Sequence, residues 1–373
     1  MASLTFIVPA LNAEETIDQA LGSIVSQRLA DYDVLCIDDC STDATRERMD
    51  WWAERYPDHV HVMPSADLAK GLGKTVGPDS PLGVGACRNA ALELARGDYV
   101  LFLDADDWLS APPHSVAEAL DRAVETDADM LIWDLWYYND QLKRDQFPYV
   151  GTLNFGHWTG GEPFDFHRAP DWIFLSFQNW MWNKLFKRSF LQESGLRCSD
   201  LHRTEDLVPT CMALTQAARI VLFRHRVSHY RILQSRLSNM GTVHKHPLDF
   251  ANAFIELKGR LEAAGAFDEV RRSYVTWAVQ SLAVNVDFLQ PFDLYERIYR
   301  QLNDGLLDQM GIGDVRPEDL VLPGEFRKYE MLRTLSPGDY LAQVHAQQYR
   351  FLMERDGEVF ALREELAVAR GER

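Results

Sequence analysis

Three carboxylates, Asp104, Asp106 and Asp107, fall within four residues at the end of an apolar run in VLFLDADDWL, residues 100–109. Like charges this close repel one another. Two readings account for them. The plain one is a polar strand stop with solvated carboxylates and turn caps. The other is a ligand set for a divalent cation, which would be the largest local charge and would turn the repulsion into coordination. Two aspartates separated by one residue at a strand end suit that role. A dication held there could neutralise a departing nucleoside diphosphate, acting as a Lewis acid on an otherwise poor leaving group.

Such a site needs elements that bring distant residues together. LTFIV (4–8) reads as a buried strand. Residues 13–28 read as a helix, with Ile17, Leu21, Ile24 and Val25 on one face. DVLCI (33–37) is a second strand, ended by Asp38 and Asp39. STDATRERMDWWAERY follows as a helix with Ser41 as its N-cap, then HVHVM (59–63) as a third strand. Residues 64–85 carry five glycines and three prolines and read as one long loop. RNAALELARG (88–97) is a helix closing at Gly97, and DYVLFLD is the next strand. This alternation is that of a parallel α/β sheet. In such sheets ligands bind beyond the carboxyl ends of the strands, so Asp38, Asp39 and the Asp104 group should face one crevice.

Six of the ten tryptophans lie between residues 130 and 186: Trp133, Trp136, Trp158, Trp172, Trp180 and Trp182. Past about residue 240 strand signals fade and helical patterns take over. A boundary near 240 divides the chain into 1–240 and 241–373. Leu352, Val359 and Leu366 recur every seven residues with Leu362 between them. Arg355 at a core position makes a coiled-coil seam weak, and a solvated terminal helix is the better reading.

Of 373 residues, 46% are hydrophobic, enough for a sizeable core. With 38 Lys+Arg against 56 Asp+Glu the net charge is −18, which opposes non-specific nucleic-acid binding. The five cysteines, Cys36, Cys40, Cys87, Cys198 and Cys211, form no CxxC pair and read as reduced thiols of a cytoplasmic protein. MASLTFIVPALNAEE reads as a strand rather than a signal peptide, and no run of about 18 apolar residues occurs. Peripheral attachment at the inner face of a membrane stays open.

VPALN, IDDCSTD, GACRNAAL, FLDADD, WNKLF and TED, in this order, closely resemble the inverting glycosyltransferase family 2, over roughly residues 3–240. Each motif alone is weak; the ordered set is specific. The resemblance implies the α/β GT-A fold, Rossmann-like, with a mostly parallel central sheet flanked by helices and a helical C-terminal region beyond it. Carried over motif by motif, Pro9 and Asn12 lie on the loop touching the nucleotide. Asp39 meets the base, typically uracil, with Asp38 as the alternative. Arg88 and Asn89 lie near the ribose and phosphates, with Cys87 where the family often has alanine. Asp104 faces the ribose. Asp106 is the metal ligand, with Asp107 in second place.

In TEDL (204–207) the resemblance makes Asp206 the catalytic base and Glu205 the fallback. A positioned carboxylate takes the proton of an acceptor hydroxyl, typically worth 10²–10⁴-fold. The plain reading of the pair is a helix start. In WMWNKLF (180–186), Trp182, Asn183 and Lys184 are candidates beside the bound sugar, whereas Trp133, Trp136 and Trp172 read as core. In SHYRILQSRLS (228–238), Arg231, Arg236 and Ser238 fit a basic loop meeting the diphosphate. His229 is either an extra metal ligand or structural. The QxxRW motif of processive synthases is absent. The loop 64–85 is longer than the family's usual link, and its Lys70 and Lys74 face phosphate, acceptor or solvent.

The expected activity is that of a non-processive, metal-dependent (Mn²⁺ or Mg²⁺), inverting hexosyl- or N-acetylhexosaminyl-transferase. It would move a sugar from a nucleotide donor, UDP-linked in the typical case, to a glycan or lipid-linked acceptor in bacterial surface-polysaccharide synthesis. The helical tail would shape the acceptor side or hold a homo-oligomer together. A nucleotidyltransferase would need a Gly-rich, basic phosphate loop after the first strand, which VPALNAEE lacks. A catalytically silent nucleotide-sugar-binding scaffold would lack the base or the metal ligand, and both are present.

Overall fold

The computed structural model describes residues 2–71, 73–111, 115–146, 161–177, 179–232 and 243–369. Among these, nine strands form one sheet: β1 (Leu4–Ala10), β2 (Tyr32–Asp38), β3 (Val60–Pro64), β4 (Tyr99–Phe102), β5 (Trp108–Leu109), β6 (Met130–Asn139), β7 (Arg144–Gln146), β8 (Lys184–Lys187) and β9 (Ile220–Ile232). The order is β3-β2-β1-β4-β8-β6-β9-β5, with β7 on the side of β6. The run β3-β2-β1-β4 is parallel. β8 is antiparallel to both β4 and β6, β6 and β9 are parallel, and β5 is antiparallel to β9.

Helices α1 (Ile17–Val25), α2 (Thr45–Arg55), α3 (Ser65–Gly71), α4 (Val84–Leu94), α5 (Val116–Glu125), α6 (Ile173–Ser176), α7 (Arg188–Glu193) and α8 (Leu207–Gln216) join these strands. Then come α9 (Asp249–Ala263), α10 (Phe267–Asp287), α11 (Phe292–Gln301), α12 (Leu307–Gln309), α13 (Phe326–Thr334) and α14 (Pro337–Ala369). β1 is buried along its whole length, as a central strand covered on both faces must be, and so reads as an unbroken apolar run. On one face Phe6, Val8 and Leu101 pack under α1 and α5, where Ile17, Leu21 and Ile24 form the expected stripe. On the other face Ile7, Val100 and Phe102 join a cluster that continues through α8 to Phe250, Tyr274, Tyr299 and Tyr340. That core therefore runs across residue 240 without a break. Each fully buried Phe in it contributes about 1.5–3 kcal/mol. The five cysteines are unpaired.

Three local expectations are corrected. Residues 64–85 are not one long loop, because SADLAKG folds as α3 and buries Ser65 and Ala69. Ser41 does not cap α2, which starts at Thr45. Its hydroxyl instead accepts from Asn12 N at 3.0 Å, while Asp43 serves Thr45 N at 3.0 Å. The helix expected from 88 begins at Val84 and ends at Leu94. Gly97 lies past it, pressed on β1, where a Cβ would meet Thr5 N at 2.5 Å. α14 runs as helix to Ala369, but the side chains of Leu352, Val359, Leu362 and Leu366 lie outside the described residues. Among the described residues no helix is long and apolar enough to cross a membrane.

Candidate active site

The carboxyl ends of β1 and β2 are stitched together by their loops. Asn12 takes a left-handed conformation (φ 51°), which Asn tolerates better than most residues. Its Oδ1 accepts from Thr42 N at 2.8 Å. Asp39, buried at the end of β2, accepts from Leu82 N and Gly83 N, one on each carboxylate oxygen, both at 2.8 Å. Gly83 can present its amide there because it sits at φ 95°, a conformation that favours glycine. Pro9, Asp39 and the 80–84 segment line one side of a cleft of about 690 Å³; His202, Lys245 and His246 line the other.

Beyond β4 the chain turns sharply, with Asp107 N donating to Asp104 O at 3.0 Å. The turn brings Asp104, Asp106 and Asp107 together, each offering a carboxylate oxygen within 4.8 Å of the others. Asp107 is 1% exposed. Its Oδ1 accepts from Arg231 N at 2.8 Å, and its buried Oδ2 has no hydrogen-bond partner among the described residues. Burial first, then the charges of Asp106 and Asp104, push its pKa well above the usual carboxylate range. A buried carboxylate oxygen without a donor, among crowded acids, fits a divalent cation.

Arg231 locks this turn. Its Nε donates to Asp106 O at 2.8 Å, its Nη1 to Asp140 at 2.6 Å, and its Nη2 to Gln19, while the guanidinium lies 4.6 Å from the Trp108 ring centre. The sequence offers Arg231 for the diphosphate; the structure gives its donors to protein acceptors. His229 is paired with Asp145 (Nδ1 to Oδ1, 2.9 Å) and stacked on Trp108 at 4.6 Å. Burial lowers its pKa despite Asp145. The structure does not bring it into the Asp104–Asp106–Asp107 group. Arg236 and Ser238 lie outside the described residues.

The second acidic pair sits on a tightly held segment before α8. Asn89 on α4 grips Cys198 twice, accepting from its N at 2.8 Å and donating to its O at 2.9 Å. Ser199 N donates to Glu205 O at 2.9 Å. Thr204 is left-handed (φ 57°), a strain worth about 1–3 kcal/mol for a β-branched residue. Arg88, 3% exposed, spans the gap: Nη1 to Glu205 Oε1 at 2.6 Å, Nη2 to Asp104 Oδ1 at 2.5 Å. Gly85 lets α4 approach, since a Cβ there would meet Glu205 Cγ at 2.8 Å. Asp206 precedes α8 without capping it. Burial, then Glu205, then Asp104 push its pKa up to about 7, against the pull of Arg88. The Glu205 pKa is raised by burial, with Arg88 opposing.

Asp206 lines a cleft of about 560 Å³ whose other wall comes from α9 and α10, including Phe250, Phe254, Trp277 and Asn285. Trp180 is at this cleft, whereas Trp182, 4% exposed, is stacked on both Trp180 (4.7 Å) and Tyr230 (5.0 Å), which also stack on each other at 5.5 Å. Lys184 is fully buried and donates to Trp180 O and Asn183 Oδ1, both at 2.6 Å. Burial lowers its pKa to about 7, against the attraction of Asp206. Trp133 is core, and Trp172 packs on the core. Lys70 pairs with Asp67 and Lys74 with Asp200, both on the surface. Sequence reasoning missed the Leu82 and Gly83 amides, which carry no side-chain signature. It also missed the α9–α10 wall, where Trp277 and Phe254 looked like ordinary helix residues.

The glycosyl transferase family 2 model matches residues 5–77 and 78–195. The poly(ribitol-phosphate) beta-glucosyltransferase of Bacillus spizizenii is 24% identical over 281 residues, covering 72% of this chain and 38% of that protein. The poly(ribitol-phosphate) beta-N-acetylglucosaminyltransferase TarS of Staphylococcus aureus is 34% identical over 258 residues, 67% of this chain and 39% of that one. The chain thus spans about two fifths of the length of these relatives. The crystal structure of S. aureus TarS 1-349 in complex with UDP-GlcNAc matches with a TM-score of 0.59 at 17% identity, covering 89% of this chain and 90% of that one. That likeness concerns the fold, an α/β GT-A sheet with a helical C-terminal region. With strand ends, acidic turn and acidic pair arranged around one buried arginine, the chain belongs to glycosyl transferase family 2.

Proposed function

We propose that the protein is a metal-dependent, inverting glycosyltransferase that moves a hexosyl or N-acetylhexosaminyl unit from a UDP-linked donor to a hydroxyl of a glycan or lipid-linked acceptor. The observation that carries this reading is the Arg88 bridge. It joins Asp104, on the turn expected to face donor ribose, to Glu205, beside the acid expected to act as base. The Pro9–Asp39 cleft then takes the nucleotide, and the Asp206 cleft the acceptor.

Asp206, with a pKa near 7, takes the acceptor proton as the hydroxyl attacks the anomeric carbon from the face opposite the diphosphate. Glu205, held by Arg88, keeps the local field and the loop in place. Asp106 and Asp107, with Asp104, would hold the cation, which when bound neutralises charge on the diphosphate. Trp180 and Trp277 offer aromatic faces to the apolar side of a sugar or polyol. In this reading residues 1–240 bind the donor and 241–373 shape the acceptor side. The surroundings are cytoplasmic, at the inner membrane face when the acceptor is lipid-linked, and self-association would use the C-terminal helices. The named activities of the relatives, on poly(ribitol-phosphate), support a surface polymer as acceptor.

The test is a panel of sugar nucleotides with Mn²⁺ or Mg²⁺, measuring nucleoside diphosphate release with and without EDTA. Release from one UDP-sugar, stimulated by acceptor and abolished by EDTA, is the expected result. Neither binding nor turnover of any donor would sink the reading.

A further inference from the structure

A second group of converging ligand atoms lies away from the acidic turn. His202, His246 and Asp249 each place one donor atom within 4.8 Å of the other two. The two imidazoles are stacked, with ring centres 4.0 Å apart and planes 8° from parallel. No described residue hydrogen-bonds a ring nitrogen of either. Asp249 is buried at the first position of α9, and its Oδ2 accepts from His202 N and Arg203 N, both at 3.0 Å. The carboxylate is therefore fixed in place, while the histidine ring nitrogens have no hydrogen-bond partner among the described residues.

We propose that His202, His246 and Asp249 form a binding site for a transition-metal cation of the zinc class. Two imidazoles and one carboxylate are ligands that Zn²⁺ and its borderline neighbours accept, whereas Mg²⁺ prefers all-oxygen shells. In a tetrahedral shell with bonds of about 2.0–2.2 Å the donor atoms lie about 3.3–3.6 Å apart, so the three, already within 4.8 Å of one another, draw closer and the two imidazoles turn out of their stack as the ion binds. Arg203 itself is tied to His246 O at 3.4 Å and Asn285 Oδ1 at 3.2 Å, and its charge partly offsets Asp249.

Its position gives the ion a role. His202 and His246 line the cleft that also contains Pro9 and Asp39. His202 is four residues before Asp206, and Asp249 opens the helix whose Phe250 and Phe254 line the Asp206 cleft. A bound cation would clamp the 202–206 segment to α9 and stiffen the junction of the two clefts.

The experiment uses Asp106→Ala protein, in which the acidic turn is disabled, so the result does not depend on sugar-nucleotide turnover. Co²⁺ is titrated in while visible absorption is followed, and Zn²⁺ is then added as competitor. One saturable equivalent with nitrogen-ligated d–d bands is expected, displaced by Zn²⁺. His202→Ala or His246→Ala in the same background should weaken it at least tenfold and abolish the rise in Tm with Zn²⁺. Should His246→Ala fail to fold, His202→Gln, at an exposed residue, carries the comparison. Absence of a saturable Co²⁺ signal, or its survival in the histidine variants, overturns the proposal. So does loss of UDP affinity in His202→Ala with Co²⁺ binding intact, which would assign the pair to the nucleotide.

Discussion

Arg88 sits between Asp104 and Glu205, one guanidinium nitrogen on each, at 2.5 and 2.6 Å, and is almost wholly buried. Two segments 101 residues apart in sequence, the acidic turn and the loop before α8, are thereby fixed to one another through α4. A buried arginine with two acidic partners is a strong constraint, because removing it strands charge in the interior.

Arg88→Met should accordingly cost about 3–5 kcal/mol of stability, the usual loss when one partner of a buried ion pair is deleted. Urea unfolding would measure it. Adding Glu205→Gln to Arg88→Met should recover part of that loss, since one stranded charge disappears. Strict additivity of the two substitutions would show that the pair is not coupled.

Asp206→Asn should bind donor normally and lose about 10²–10⁴-fold in kcat, read in initial-rate assays. In the unsubstituted protein kcat should rise with pH through about 7, as the base loses its proton. Glu205→Gln should shift that limb to lower pH, because it removes the neighbouring negative charge and leaves Arg88 to favour the ionised base. Stability runs the other way. The Asp206 pKa is raised from 3.8 to about 7, so the folded state holds a proton that the unfolded chain releases. That contribution is complete below about pH 4 and is lost as pH climbs through 7. Asp206→Asn should flatten this slope in pH-dependent unfolding.

Gly85→Ala tests the contact between α4 and the acidic pair. A methyl there would meet Glu205 Cγ at 2.8 Å and Cys198 Cβ at 3.1 Å. The expected cost is about 1–3 kcal/mol of overpacking. It should be accompanied by a fall in kcat larger than any change in donor KM, because the displaced group is on the base side. Unchanged kinetics would mean that the 198–206 segment gives way without consequence.

Asp106→Ala should keep the fold, by circular dichroism, and lose cation-dependent UDP binding in calorimetry. EDTA should reduce UDP affinity of the parent protein and leave this variant unaffected. A variant whose UDP binding still responded to Mn²⁺ would place the cation elsewhere.

The strand ends and their acids were legible because burial on both faces makes parallel strands continuous apolar runs, and carboxylates stop such runs visibly. Asp39, Arg88, Asp104 and Glu205 could be picked out on that basis and by motif order. What could not be read was who faces whom. Asp39 gives both oxygens to backbone amides of Leu82 and Gly83, and amides are common to every residue. Trp180 and Trp182 are alike in sequence and both stack on Tyr230, yet Trp182 is buried and Trp180 lies at the cleft. The glycines and prolines of 64–85 outweighed SADLAKG, a helix of seven residues that periodicity cannot resolve. Phe254 and Trp277 reach the Asp206 cleft only through packing between residues far apart in the chain.

The apolar cluster that joins Ile7 and Phe102 to Phe250, Tyr274 and Tyr340 ties the two ends of the chain to one folding event. Cutting at residue 240 would strip one wall from the sheet, and the remaining half would expose the apolar face that α9 and α10 cover. The C-terminal helices are therefore not an interchangeable attachment. The wall that α9 and α10 give to the Asp206 cleft belongs to helices that also cover the sheet, so the shape of that cleft changes under the same packing constraints as stability.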